Sequence, residues 1–334
     1  MRIILTITLT LSSLLTFSQV HKLFSEALRE DTSQTKKIEL LNQIIALEPK
    51  NLDAYSVRGQ IKNDLGDFSG AIFDYSKIIM EAPDSYTYLY RGDARYKMGN
   101  IEGAKLDYKK ALELDKSLVE ARYGLGTIKY GSGDYNAAFL DFNVLITNFY
   151  SNNKDFSKFD TFKKSLWMRA LTYEALEQPY EALKDYTNII TYDHTSENYY
   201  NRGELLIKLK LYAEANKDFK KSVSLNKKNL FAYFYKGASN LYLGDFLKAI
   251  SDFSEVIKYD STDFDAYLGL AIAYKKLKDS EKAKQNFDMA NQIISPDKTI
   301  NSILDYSNTF WFKNEYFYFN HYINELVKLK KVNP

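Results

Sequence analysis

The feature that most limits what this chain can fold into is an internal repeat. Ala71, Ala104, Ala138, Ala182, Ala215, Ala249 and Ala283 recur at spacings of 33, 34, 44, 33, 34 and 34 residues. Four residues after each stands an aromatic ring: Tyr75, Tyr108, Phe142, Tyr186, Phe219, Phe253 and Phe287. Twelve residues before each, the side chain is always small: Gly59, Gly92, Gly126, Ala170, Gly203, Gly237 and Ala271. Self-similarity at a period of about 20 to 50 residues marks a stacked array, in which each unit buries its apolar face against its neighbours. A small residue on each of two antiparallel helices lets them approach closely, and the aromatic fills the gap between neighbours. Gly66, Gly99, Gly133 and Gly244 fall seven residues after the first small position, where glycine supplies the positive-φ stop of a helix. Asp67-Phe68, Asp134-Tyr135 and Asp245-Phe246 then restart the chain with an N-cap residue and an apolar anchor. Each unit is expected to be helix–turn–helix, the first clear one with helices near 52–65 and 68–81.

The run from Tyr88 through Gly92, Tyr96, Ala104 and Tyr108 to Ala111, and that from Tyr55 through Gly59, Ala71 and Tyr75 to Pro83, resemble the tetratricopeptide repeat family. The resemblance covers 52–296 as seven repeats. Residues 19–51 read as a degenerate N-terminal repeat without the Ala column, and 297–334 as a C-terminal capping helical region. Two features depart from the family pattern. The closing proline survives only at Pro49, Pro83 and, one place late, Pro296, and the fourth repeat carries Gln178-Pro179 at its turn. The resemblance implies an all-α fold, a right-handed solenoid (superhelix) of helix–turn–helix hairpins. The 44-residue spacing places an insertion at about 148–160, expected as a loop on one face.

One further column is internally correlated. Arg58, Arg91, Arg169, Arg202 and Lys236 precede the small residue, and Asp74, Asp107, Asp185, Asp218 and Asp252 follow sixteen residues later. Leu270 and Asn286 lose both partners together, whereas the third repeat keeps Asp141 opposite Leu125. A helical hairpin brings these positions together, so the column reads as intra-repeat ion pairs, each contributing at most about 1 kcal/mol if exposed. The matching Asp row argues against a phosphate or nucleic-acid ladder. So does the charge balance, 45 Lys+Arg against 43 Asp+Glu.

Residues 1–18 read as an address. Met1-Arg2 gives a basic start, Ile3 to Leu15 an apolar run, and Thr16-Phe17-Ser18 a small-residue cleavage pattern before Gln19. The apolar run is short for a membrane span. The expectation is export by a cleaved signal peptide to the periplasm, the cell envelope or the medium, with no integral span afterwards. The 45% hydrophobic fraction excludes wholesale disorder. Cys is absent, which removes disulfides, thiolate metal sites and cysteine nucleophiles. Gly124-Leu-Gly126 and Gly131-Ser-Gly133 lack the strand–turn–helix context of a phosphate loop. Asp260-Ser-Thr-Asp263-Phe-Asp265 lacks the central Gly and distal Glu of a calcium loop and reads as helix N-capping. The three His are isolated. No catalytic residue, cofactor or metal site is expected, and the chain reads as non-enzymatic.

In the family, the first helix of each repeat lines a concave groove that holds peptide or protein segments. Carried over, the fifth helical positions supply Tyr123, Trp167, Tyr200 and Phe234 as consecutive aromatics, and the twelfth positions add Tyr96 and Tyr130. Tyr and Trp are enriched at binding hot spots, but aromatics here also pack between repeats, and both readings stand. The ninth positions, Gln60, Asp93, Thr127, Leu171, Glu204, Ala238 and Ile272, exclude the Lys/Asn clamp for a C-terminal carboxylate. The expected partner is a protein or peptide segment of another exported protein, not nucleic acid. From 312 to 329 a helical pattern presents a wide apolar arc. With Trp311, Tyr318 and Tyr322 it forms a second surface, either wedged between neighbours or left for a partner, a second copy or a membrane. The alternative function is therefore structural assembly through this C-terminal helix.

Overall fold

Each small residue stands where it does because a ring presses on it. A Cβ added to Gly92 would lie 2.8 Å from the Tyr108 ring, one added to Gly126 2.8 Å from Phe142, and one added to Gly203 2.7 Å from Phe219. Any side chain there would push the two helices of the repeat apart. Phe142, Phe219 and Phe253 are fully buried as a result, each contributing about 2 to 3 kcal/mol of apolar burial.

The computed structural model describes residues 17–151, 156–294 and 309–311. Its long elements are helices: α1 (17–27), α2 (Gln34–Leu47), α3 (Leu52–Asp64), α4 (Phe68–Glu81), α5 (Ser85–Lys97), α6 (Ile101–Leu114), α7 (Val119–Gly131) and α8 (Tyr135–Ser151). They continue with α9 (Phe159–Ala175), α10 (Pro179–Tyr192), α11 (Ser196–Lys208), α12 (Tyr212–Leu225), α13 (Leu230–Tyr242), α14 (Phe246–Tyr259), α15 (Phe264–Lys276) and α16 (Ser280–Ile294). No strand occurs among the described residues. The fold is the expected all-α class, a solenoid built of helix–turn–helix hairpins. The chain divides into two compact units, 1–172 and 173–334. The leader at 1–16, and the helical pattern at 312–329 with Tyr318 and Tyr322, lie outside the described residues.

The turns follow the glycine column. Gly66, Gly99, Gly133 and Gly244 adopt φ between 81° and 85°. At the same column Glu177, Lys210 and Lys278 take φ of 57°, 59° and 64°, so the left-handed stop persists where the glycine is lost. Asp67 and Asp134 cap α4 and α8 by accepting from the main-chain N–H of Gly70 and Ala137. Asp245 does not cap α14. Its carboxylate pairs instead with Lys248 at 2.8 Å. Asp263 accepts from Ala266 N–H at 2.8 Å as the N-cap of α15.

The insertion corrects the loop expectation. Much of it lengthens the flanking helices, α8 to Ser151 and α9 from Phe159, at 17 residues each. The extra turns are held by aromatics: Phe149 stacks on Phe162 with centroids 3.9 Å apart, and both rings are buried.

The basic–acidic column is a set of buried staples rather than surface pairs. Arg91 grips Asp107 with two N–H bonds of 3.0 and 2.7 Å, and Arg202 grips Asp218 with two of 2.7 Å. The remaining guanidinium donor reaches the previous repeat's second helix: Arg58 to Asn42, Arg91 to Ser76 and Arg202 to Thr187. Tyr55, Tyr88 and Tyr199 lie under the same guanidinium groups, adding cation–π attraction. In the third repeat, where Leu125 replaces the Arg, Lys129 at 2.6 Å and Arg122 at 3.5 Å serve Asp141. Asp74 and Asp107 are 0% and 2% exposed. Removing one partner of such a pair strands a buried charge, which costs far more than an exposed pair is worth.

Two stability predictions follow from these contacts. Gly92→Ala should lower the urea unfolding free energy by about 2 kcal/mol through the ring clash. Gly66→Ala, whose Cβ would meet nothing within 4 Å, should cost about 1 kcal/mol through its φ alone. Asp74→Ala should cost about 3 kcal/mol, whereas Glu113→Ala, removing the exposed partner of Lys110, should change stability by less than about 0.5 kcal/mol in the same titration.

Candidate functional site

The first helices of the repeats form one face in each unit. In the first unit this face opens a pocket of about 370 Å³ between α5, α7 and α9. Gly124 creates it. The position equivalent to Gly124 one repeat earlier is Tyr90, packed on Tyr75 with ring centroids 5.9 Å apart. Gly124 lets α7 close onto the Tyr108 ring, which an added Cβ would meet at 2.6 Å and which is only 2% exposed. Tyr108 is therefore the floor, Tyr96, Lys97 and Asp93 form one wall, Glu120, Tyr123 and Thr127 the other, and Thr161 and Lys164 the far rim.

The electrostatics are uneven. The Tyr108 hydroxyl donates to Asp93 at 2.7 Å. Burial pushes the Asp93 carboxyl above its ordinary value, opposed by the Tyr108 hydrogen bond and Lys97. Burial, with the Asp93 charge beside it, raises the Tyr108 phenol strongly, and burial also raises Tyr123. A neighbouring pocket of about 190 Å³ shares Asp93 and adds Gln60, Asn63, Asp64, Tyr75 and Tyr90. Asn63 Oδ1 is buried without a hydrogen-bond partner.

The sequence-derived residues fall into different places. In the first unit, Tyr96 and Trp167 are 39% and 37% exposed. Tyr123 is half-buried, with its ring 6.0 Å from Phe142. Tyr130 is half-buried against Tyr135 and is absent from the pocket lining. In the second unit, Tyr200 packs among Phe219, Phe231 and Tyr235. Its phenol is raised by burial, and that of Tyr235 is pushed up to about 12 by the same cause.

Phe234 departs from the groove-anchor expectation, and Trp311 takes the wedged one of the two positions expected for it. Phe234 is only 7% exposed because the chain's own Phe310 and Trp311 stand against it, with centroids at 5.1 and 6.0 Å. Phe234 is thus no free anchor. Trp311 is fully buried and is no partner surface. Its ring also lies against Tyr242 and Phe253, and its Nε1–H donates to the Asp265 carbonyl at 2.9 Å. The Asp265 carboxylate accepts the Phe310 main-chain N–H at 2.9 Å. Sequence reasoning missed Gly124, Glu120 and Asp265. The available signal was glycine at 124 and 269, in a column where the second and sixth repeats carry Tyr90 and Tyr235.

Comparison with known proteins agrees with this architecture. Residues 92–138 match the family described as TPR repeat, and 196–229 and 265–292 each match the tetratricopeptide repeat. The chain is similar to human tetratricopeptide repeat protein 13, 36% identical over 95 residues, which are 28% of this chain and 11% of that protein. It is also similar to rat serine/threonine-protein phosphatase 5, 33% identical over 86 residues, 25% of this chain and 17% of the phosphatase. The aligned segments thus span less than a fifth of these relatives. Among solved structures, a tetratricopeptide repeat protein from Parabacteroides merdae ATCC 43184 aligns with TM-score 0.50 and 17% identity, covering 83% of this chain and 98% of the other. That likeness is one of fold.

The Asp93 geometry gives a pH prediction. A raised carboxyl pKa means that the folded chain holds its proton to higher pH than the unfolded chain, so stability falls as pH rises through the folded value. Asp93→Asn keeps an acceptor for Tyr108 without the buried charge. Its melting temperature should exceed the wild type's at pH 7, and the two should converge below about pH 4, where Asp93 is protonated in both states.

Proposed function

We propose that this chain is an exported, non-enzymatic scaffold that holds a segment of another exported protein on the first-helix face of its first unit. Tetratricopeptide repeats generally act as protein-interaction scaffolds, on a fold that is typically non-enzymatic. The observation that carries the site assignment is the pocket around Tyr108, where Tyr96 and Tyr123 converge with flanking charges. Amphipathic rings beside a desolvated floor are what interface hot spots are made of, and main-chain groups of an extended segment would find acceptors at Asp93 and Glu120 and donors at Lys97 and Lys164. Tyr200 remains available only as a half-buried edge, so the second unit contributes less.

Export rests on the order of residues 1–18, basic, apolar, then small. No helix among the described residues is long and apolar enough to cross a membrane. Assembly through the C-terminal region is the weaker reading, since Trp311 is committed to the chain's own core.

The test is affinity capture from the exporting cell, with the mature protein, expected to begin at Gln19, beside a Tyr96→Ala/Trp167→Ala form. Loss of two partly exposed anchors should weaken capture of a bound partner at least about tenfold, while circular dichroism stays unchanged. Capture unaffected by the double replacement would remove this face from the function.

A further inference from the structure

Three guanidinium groups of this chain sit in seats of one composition. Arg58 has a carboxylate at Asp74, an amide oxygen at Asn42 and the Tyr55 ring beneath it. Arg91 and Arg202 repeat the set with Asp107 and Asp218, the hydroxyls of Ser76 and Thr187, and the rings of Tyr88 and Tyr199. The cleft of about 190 Å³ between α3 and α5 offers the same set without a guanidinium. From α3 come Ser56, Gln60 and Asp64, spaced four residues apart on one helical face and all exposed. From α5 come Asp93 and the Tyr90 ring, which is 44% exposed.

The charged side chains lining this cleft are both acidic, and neither Asp64 nor Asp93 has an ion-pair partner among the described residues. The bases of the two helices are committed elsewhere. Arg58 and Lys62 serve Asp74, and Arg91 and Arg95 serve Asp107. Lys97 lies over the Phe68 ring and lines the neighbouring pocket, from which its charge only partly offsets the burial that raises the Asp93 carboxyl. Asn63 Oδ1, in the α3 wall, has no donor either. An ionised, half-buried carboxylate without a cation costs the folded chain stability, and a cation entering the cleft would remove that cost.

We propose that this cleft takes an arginine side chain from the partner segment, its guanidinium between Asp64 and Asp93 and flat against the Tyr90 ring. This rests on the scaffold reading above and names the ligand chemistry beside its pocket, with Asp93 shared by both. The acceptors stand on two helices and one wall is an aromatic face. A planar fork of five donors serves several acceptors at once and stacks on a ring, whereas a lysine ammonium is a compact, strongly hydrated point charge.

The probes are N-acetyl-arginine amide and its citrulline counterpart, which has the same shape without the charge, titrated into the full chain and followed by saturation-transfer difference NMR. The arginine probe is expected to bind saturably, at least about tenfold more tightly than the citrulline probe or N-acetyl-lysine amide. Asp64→Asn, at an exposed position, should weaken it about fivefold. Asp93→Asn should weaken it further, although that variant melts higher than the wild type at pH 7 by the argument above. A merely structural Asp93 would not combine weaker binding with greater stability. Asp53→Asn, exposed on α3 but outside the cleft, should leave binding unchanged.

No saturable binding, equal binding of citrulline, or binding indifferent to both Asp64→Asn and Asp93→Asn would overturn the assignment. Equal binding of the lysine probe would overturn the choice of arginine. If the arginine probe fails while captured partners still depend on Tyr96 and Trp167, only the cation seat falls; if both fail, the groove reading falls with it.

Discussion

Everything in this structure depends on a ring pressed against a helix that has no side chain at that point. The contact sets the separation of the two helices in a repeat, and Tyr75, Tyr108, Phe219 and Phe253 also reach the next repeat's first helix. Phe253 illustrates both halves, with Gly237 on one side and Gly269 on the other. Dispersion contacts of this kind are lost steeply with distance. A repeat array has few long-range contacts to compensate, since each unit leans only on its neighbours. The Arg–Asp staples act on the same joints. The Arg58, Arg91 and Arg202 guanidinium groups each tie their own two helices together and reach back to the preceding repeat, so packing and charge fix one geometry.

That economy explains what was legible in the sequence. Columns that carry the joint admit few residue types, so Gly92, Ala104, Tyr108, Arg91 and Asp107 announce themselves by recurrence. The stop residues were readable where they are glycine. Glu177, Lys210 and Lys278 hide the same backbone conformation behind side chains that rarely adopt it, and only the neighbouring repeats reveal the column. The burial of Asp74 and Asp107 could not be read from spacing, because a pairing pattern is the same whether solvent reaches it or not. The inserted residues misled for another reason. An insertion is read as a loop by default, yet Phe149 and Phe162 gave the added turns an apolar stack of their own.

The site was legible in type but not in position. Helical register nominated Tyr96, Tyr123, Trp167, Tyr200 and Phe234 together, because the same face of every first helix was read at once. What separates them is a contact across 46 residues of sequence, Trp311 onto Asp265, which has no periodic signature and appears only when the chain is folded. Gly124 was visible but was weighed as a phosphate-loop glycine. Its meaning lies in the close approach of α7 to the Tyr108 ring that it allows.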